Sequence, residues 1–209
     1  MPDDTVLLER HFDTAFAAPD GIQKLRELIL TLAMQGKLVP QDPNDQPASE
    51  LLEEIEAEKQ RLVKEGKIKQ PKPLPEIKPE QVLCELPNGW EWVRLGKIIL
   101  FTNGYAFKSN LFQKTGIGII KIGDISNGII VKGRMDFIDE IYLEEIDKKF
   151  QVKFNDMLIA MSGATTGKIG FNNLQEVFLL NQRVGKIEPI IVCKSFLFNF
   201  LSTNTPDKI

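Results

Sequence analysis

Between residues 67 and 81 the chain reads KIKQPKPLPEIKPEQ, with prolines at 71, 73, 75 and 79. Proline has no amide hydrogen and a fixed φ, so this density excludes helix and sheet interior. It leaves an extended, fairly stiff strap. Whatever folds here folds on one side of that strap or the other, and the two sides have different characters.

The N-terminal side has helical periodicity. Leu8, Phe12, Ala15 and Phe16 fall on one face of a first helix, broken by Pro19-Asp20-Gly21. Asp20 is placed to cap a second helix, where Ile22, Leu25, Leu28, Ile29 and Leu32 keep helical spacing until Gly36. A polar loop over 40–47 leads to a third helix from Ser49, with Leu51, Leu52, Ile55 and Leu62 as its apolar stripe. Glu56–Lys59 and Glu58–Arg61 are helical neighbours of opposite charge. Three short helices make a thin core, so their apolar faces are expected to pack on the next domain or on a partner chain.

Beyond Leu86 the pattern changes to short strands, expected at 92–95, 98–101, 117–122, 129–131, 151–154, 157–161, 168–171, 177–180 and 183–187. Turns are expected at 102–105 and 124–128, and each strand is bounded by Gly, Asn or Asp. This spacing indicates a mixed, barrel-like or sandwich sheet. An apolar helix opens at Ser195. The expected class is α+β: an N-terminal helical segment (1–66), a Pro-rich linker (67–85), a β-rich domain (86–195) and the start of a helix (196–209).

Several function classes lack their parts. His11 is the single histidine, and Cys84 and Cys193 stand far apart, so neither a zinc site nor a histidine triad can be assembled. No apolar run approaches the ~20 residues of a membrane span. The N-terminus, Met1-Pro2-Asp3-Asp4, is acidic where a secretory signal is basic, which leads to the expectation of a cytoplasmic protein. The net charge of −3 divides unevenly: residues 1–90 carry −6 and residues 91–209 carry +3. The two parts are therefore expected to face different partners.

The stretch AMSGATTGKI (160–169) resembles a phosphate-binding loop but departs from it chemically. Three residues, not four, separate Gly163 from Gly167, and Lys168 is followed by Ile169, which cannot ligate Mg²⁺. Its hydroxyls (Ser162, Thr165, Thr166), its glycine N–H groups and Lys168 suit DNA phosphates and nearby base edges. The alternative is a turn whose hydroxyls satisfy its own backbone. In TNGYAFKS (102–109), Asn103 has the geometry to pair with adenine. Lys108 can reach guanine or phosphate, Tyr105 can stack or donate to phosphate, and Ser109 adds a hydroxyl. The alternative there is a type I′ turn at Asn103-Gly104, with Phe107 in the core in either case. Asn181-Gln182-Arg183 interrupts an apolar run with amides and a guanidinium. Gln182 and Arg183 are candidates for base edges, and Asn181 for a bond to backbone. Lys121, alternating with Ile120 and Ile122, is a weaker phosphate candidate. The acids Asp139, Glu140, Glu144, Glu145 and Asp147, followed by Lys148-Lys149, are a solvated face and not a nuclease metal site.

Six phrases in order, LRELILTLAMQGKLVPQ (25–41), PASELLEEIEAEKQRLVKEGKIK (47–69), LPNGWEWVRLGKI (86–98), IIKIGDISNG (119–128), LIAMSGATTGKIGF (158–171) and LLNQRVGKIEP (179–189), make the chain resemble the specificity subunit of type I restriction–modification enzymes. The resemblance implies a target recognition domain after an N-terminal helical segment, with glycine-rich loops near its DNA-facing side. It implies double-stranded DNA, a modification (methyltransferase) subunit and a restriction (translocase–endonuclease) subunit as partners. It also implies S-adenosylmethionine, ATP and Mg²⁺ in those partner subunits only, and a non-catalytic role for this chain. Members of the family carry two recognition domains joined by coiled-coil helices. With one domain and the opening of one such helix, this chain is expected to be a half-subunit, pairing with a second half, or a truncated piece. Two rival readings stay open: a protein-interaction module that does not read DNA, and the recognition end of a fused restriction–methylation enzyme.

Overall fold

The computed structural model describes residues 4–82, 84–133 and 135–202. Met1-Pro2-Asp3 and residues 203–209 lie outside the described residues, as do the side chains of Leu8, Ala15 and Phe16. The chain divides into two units, residues 1–97 with 199–209, and Ile98–Phe198.

The first unit contains α1 (Asp4–Ala17), α2 (Gly21–Met34) and α3 (Ala48–Lys64). The break between α1 and α2 falls at Pro19-Asp20, as the sequence indicates. Asp20, however, is left-handed at φ 60° and makes no side-chain cap. That conformation keeps its carboxylate from capping, and its backbone carbonyl instead accepts the Lys24 N–H at 3.0 Å. In α3, Leu52 and Ile55 are buried as expected, and Arg61 pairs with Glu58 at 2.6 Å and with Glu65. Lys59 departs from its expected pairing with Glu56. It turns inward, is 5% exposed, and its ammonium donates to the Gly96 carbonyl at 2.7 Å. Burial pushes its pKa down, with Glu56 pulling the other way.

The strap is extended up to a short 3-10 turn at Pro79–Gln81. Arg94 ties it down, donating to the carbonyls of Pro75 (3.1 Å) and Glu76 (2.8 Å) and to Gln81 Oε1 (2.6 Å). This explains why 92–95 is not the strand that its alternation suggests. The Trp92 indole donates to the Cys84 carbonyl at 3.3 Å, Arg94 serves the strap, and Leu95 opens a four-residue helix, α4 (Leu95–Ile98). The segment also packs with the helices: Gly89 O accepts from Ala48 N at 2.7 Å, and Trp90 Nε1 donates to Gln41 Oε1 at 2.9 Å.

Among its described residues the second unit contains ten short strands: β1 (Ile99–Asn103), β2 (Ile117–Ile120), β3 (Ile125–Ser126), β4 (Gly128–Ile130), β5 (Asp136–Ile138), β6 (Gln151–Val152), β7 (Met157–Ala160), β8 (Ile169–Phe171), β9 (Phe178–Leu180) and β10 (Val184–Pro189). It also holds a four-residue helix, α5 (Tyr142–Glu145), and the start of α6 (Lys194–Ser202). One sheet has the order β1-β10-β7-β8-β4-β3 and the other β5-β2-β9-β6. Both are mixed: β2 runs parallel to β9 and β4 parallel to β8.

The reason is visible in the side chains. In β2 and β9, Ile119, Ile120, Leu179 and Leu180 are all 0% exposed. Ile120 and Leu180 enter a core shared with Leu158, Ala160 and Val184 of the other sheet. Ile119 and Leu179 enter a second core with Ile138 and Ile146, covered by Leu111, Phe112 and Phe150. Strands buried on both faces have continuous apolar runs and favour parallel pairing.

The Asn-Gly pair at 127–128, with φ of 51° and 78°, makes the tight β3–β4 turn, matching the positive-φ requirement of type I′. β5 lies outside the expected strands, because three residues, one of them the acid Asp136, give no periodic signal. It pairs antiparallel with β2. In α6, Leu197 is buried and Phe198 stacks on Phe171 at 4.7 Å. Truncating Leu180 to Ala, which leaves a cavity in the core it shares with Leu158 and Val184, is expected to lower stability by about 2–5 kcal/mol, measured by urea unfolding.

Candidate nucleic-acid interface

Four strands end at one rim. β1 and β7 both run antiparallel to β10, so they point the same way, and β2 and β9 are parallel. Where they stop, the chain turns polar: Asn103 at the end of β1, Lys121 after β2, Ser162 just beyond β7 and Asn181 after β9.

Backbone hydrogen bonds lace these ends together. Asn181 N donates to Ile120 O (3.1 Å), Tyr105 N to Leu180 O (2.7 Å) and Gln182 N to Tyr105 O (2.9 Å). Met161 N donates to Arg183 O (2.9 Å), and Ala160 N to Lys168 O (2.9 Å). Val184 N returns to Asn181 O at 2.8 Å, making a four-residue turn with Gln182 and Arg183 at its exposed tip. The structure therefore brings Tyr105, Gln182, Arg183 and the 161–168 loop to one place.

The type I′ turn considered at Asn103-Gly104 does not form. Asn103 is the last residue of β1, paired with Gly185, and Gly104 has no positive φ. Glycine is required there for a different reason: a Cβ would lie 2.0 Å from Asn181 O and 2.6 Å from Leu180 O. The absent side chain allows one backbone to touch the other. Sequence reasoning missed this role because the neighbour is some 77 positions away in the chain.

The individual side chains divide. Asn103, Tyr105, Lys108, Ser109, Thr166, Lys168, Gln182 and Arg183 are exposed. Among the described residues Lys108, Lys168 and Arg183 have no ion-pair partner. Tyr105 meets Phe107 and Phe150 edge to face, with centroids 5.1 and 5.5 Å away. Phe107 packs half-buried on the second core, as expected. Lys108 and Ser109 lead into a 3-10 turn ending at Leu111.

Other candidates are turned inward. The Ser162 and Thr165 hydroxyls are buried and make no hydrogen bond among the described residues. Gly163 and Gly167, both left-handed, fold the loop over on itself. Thr166 Oγ1 donates to Gly163 O at 2.7 Å, so that hydroxyl satisfies its own backbone. Lys121 is spent internally, its ammonium paired with Asp136 and 4.4 Å above the Phe112 ring. Asn181 Oδ1 accepts the Arg183 N–H at 3.2 Å, the backbone role expected of it. Among the described residues no group of three or more His, Cys, Asp or Glu is placed to hold a metal ion. The acids at 139–147 lie around α5, with Asp147 paired to Lys149 at 2.8 Å.

Asp124, beside Lys121, is 5% exposed. Its carboxylate accepts the Lys121 N–H at 2.8 Å. Burial pushes its pKa above the ordinary value, opposed by that hydrogen bond and the Lys121 charge. The folded protein then keeps this proton to higher pH than the unfolded chain, so the group's contribution to stability falls as pH rises through its folded-state titration. Asp124→Asn keeps the acceptor and removes the desolvated charge. It is expected to be more stable than the parent at neutral pH, with the advantage shrinking as pH falls and gone by about pH 4, measured as urea midpoints across pH. Gly104→Ala forces the β1 exit away from Asn181. It is expected to cost on the order of 1–3 kcal/mol of stability in the same assay.

The family model described as "Type I restriction modification DNA specificity domain" matches residues 87–209. The specificity subunit of the type I restriction enzyme EcoAI from Escherichia coli is 54% identical over 122 residues, covering 58% of this chain and 21% of the relative. That of EcoEI, also from Escherichia coli, is 55% identical over 92 residues, covering 44% and 16%. The HsdS subunit from Thermoanaerobacter tengcongensis, a solved structure, superposes with a TM-score of 0.44 at 17% identity over 92% of this chain and 39% of that one. The chain thus spans about a fifth of the length of the Escherichia coli relatives it matches. Since the family model covers more than half of its residues, this chain belongs to the type I restriction modification DNA specificity domain family.

Proposed function

We propose that this chain is a sequence-specific DNA reader, serving as the specificity subunit, or half of one, in a type I restriction–modification complex. The observation that carries this reading is the meeting at one rim of Asn103–Tyr105, the 161–168 loop and the Gln182–Arg183 turn tip, joined by backbone hydrogen bonds. Rigid backbone attachment is what base reading needs, because a bidentate contact tolerates little positional error.

In this reading Gln182 and Arg183 meet base edges in a groove, and Asn103 meets adenine. Lys108 and Lys168 sit on phosphates, and the backbone of the 161–168 loop follows the strand. Lys121, Ser162 and Thr165 support the surface from beneath. The chain itself carries out no reaction. It directs a methyltransferase subunit, which holds S-adenosylmethionine, and a translocase–endonuclease subunit, which uses ATP and Mg²⁺, to a bipartite target. The helices of residues 1–66 and the helix beginning near 196 serve assembly. Single base contacts are worth about 1–3 kcal/mol, so one recognition domain selects only a short sequence. Joining two through helices raises the effective concentration of the second and fixes the half-site spacing.

Duplexes selected by this chain from a random pool, titrated across salt, test the reading. Lys168→Ala is expected to weaken binding to all sequences alike and to lower the log–log salt slope by about one. Arg183→Ala is expected to cost about 1–3 kcal/mol on the selected site and to relax its sequence preference, with Lys108→Ala intermediate. Parent-like binding by all three variants would overturn the site assignment. Methyl transfer by the purified chain alone would overturn its non-catalytic role.

A further inference from the structure

Tyr105 is held more firmly than a surface tyrosine needs to be. Its N–H donates to Leu180 O at 2.7 Å and its carbonyl accepts from Gln182 N at 2.9 Å, so its backbone is clamped from both sides. Its ring meets Phe107 and Phe150, each inclined to it at 63°, so that neither is stacked on it. The residue is still 44% exposed. Beside it, Lys149 Nζ stands 4.9 Å from the Phe150 ring centroid while pairing with Asp147 at 2.8 Å, which fixes that phenylalanine's other neighbour. Neither Phe150 nor Lys149 is marked by any local pattern in the sequence.

A phosphate contact made through the phenol oxygen asks only that the hydroxyl reach its target. A braced ring on a residue that stays 44% exposed suits a different ligand, the face of a nucleobase, because stacking depends on the position and tilt of a plane. We infer that Tyr105 is a stacking wedge, which meets a base unstacked from the duplex next to the base edges read by Gln182 and Arg183, with Phe107 and Phe150 as positioning residues. This inference rests on the DNA-reading function proposed above and names what that rim does to the duplex. Unstacking a paired base costs free energy, and a mismatch removes part of that cost in advance. A wedge therefore gains from a mismatch at one defined position, whereas a phosphate donor is indifferent to it.

The test uses a duplex selected by the parent chain and a set carrying one mismatch at each successive position, titrated with the parent, Tyr105→Phe, Tyr105→Leu and Phe150→Leu. The expected result is a single position where the mismatch tightens binding by the parent and by Tyr105→Phe several-fold. Tyr105→Leu is expected to bind the matched duplex roughly tenfold more weakly and to show no gain at that position. Phe150→Leu, which leaves Tyr105 intact but unbraced, is expected to lose part of the gain while its urea midpoint shows that it still folds. Parent-like behaviour of Tyr105→Leu on all duplexes would overturn the wedge, and so would an equal loss in Tyr105→Phe, which would assign the contact to the hydroxyl. Failure of the parent to bind any duplex would instead remove the DNA-reading function itself.

Discussion

The second unit depends on the burial of β2 and β9 on both faces. Four adjacent aliphatic side chains, Ile119, Ile120, Leu179 and Leu180, have no exposure at all, and they alternate between two cores. A strand pair in that position has no polar face, so none of its residues can meet a solvent-borne ligand. Polar function is displaced to where the strands stop. Because the two run parallel, both stop on the same side. The candidate interface follows from a hydrophobic requirement before any demand of DNA enters.

The same geometry explains why the rim is rigid although it consists of turns. Gly104 lets the exit of β1 lie directly on the carbonyl of Asn181, and the bonds through Tyr105, Gln182 and Arg183 tie three segments to one another. Loops held only at their ends retain substantial conformational freedom, which binding must remove at a free-energy cost. Here much of that ordering is done when the sheet forms. The 161–168 loop follows the same logic. The Thr166–Gly163 bond serves loop shape, and Lys168 is exposed.

Local chemistry was legible in the sequence and non-local chemistry was not. The strap, the three helices and most strand positions could be read because proline content and apolar period are properties of a few neighbouring residues. Three of the departures share one cause. The alternation at 92–95 is strand-like, yet Trp92 and Arg94 bond Cys84, Pro75 and Glu76 instead of a ladder. Lys59 has Glu56 within helical reach but bonds Gly96, which is 37 positions away. The Asn-Gly pairs at 103–104 and 127–128 offer the same turn chemistry. The pair at 127–128 takes the positive-φ turn between β3 and β4, while that at 103–104 is drawn against Asn181. For the site, Tyr105, Gln182 and Arg183 stood out as polar or aromatic residues at strand ends. That they share one rim depends on the pairing of β2 with β9, which no local pattern encodes.

Charge shows why a sum over the sequence is a weak guide to such a surface. Residues 91–209 carry only +3, a value that by itself points to no particular partner. The structure sorts those cations by what they already bind. Lys121, Lys132, Lys149 and Lys186 are paired with Asp136, Glu176, Asp147 and Asp156, and their fields are largely cancelled locally. Lys108, Lys168 and Arg183 have no such partner among the described residues and are exposed on or near the rim. Counterion release depends on charges that reach phosphates, not on the total. A nearly neutral domain can therefore leave particular cations uncancelled at one edge, because Asp136, Glu176, Asp147 and Asp156 are matched to other lysines.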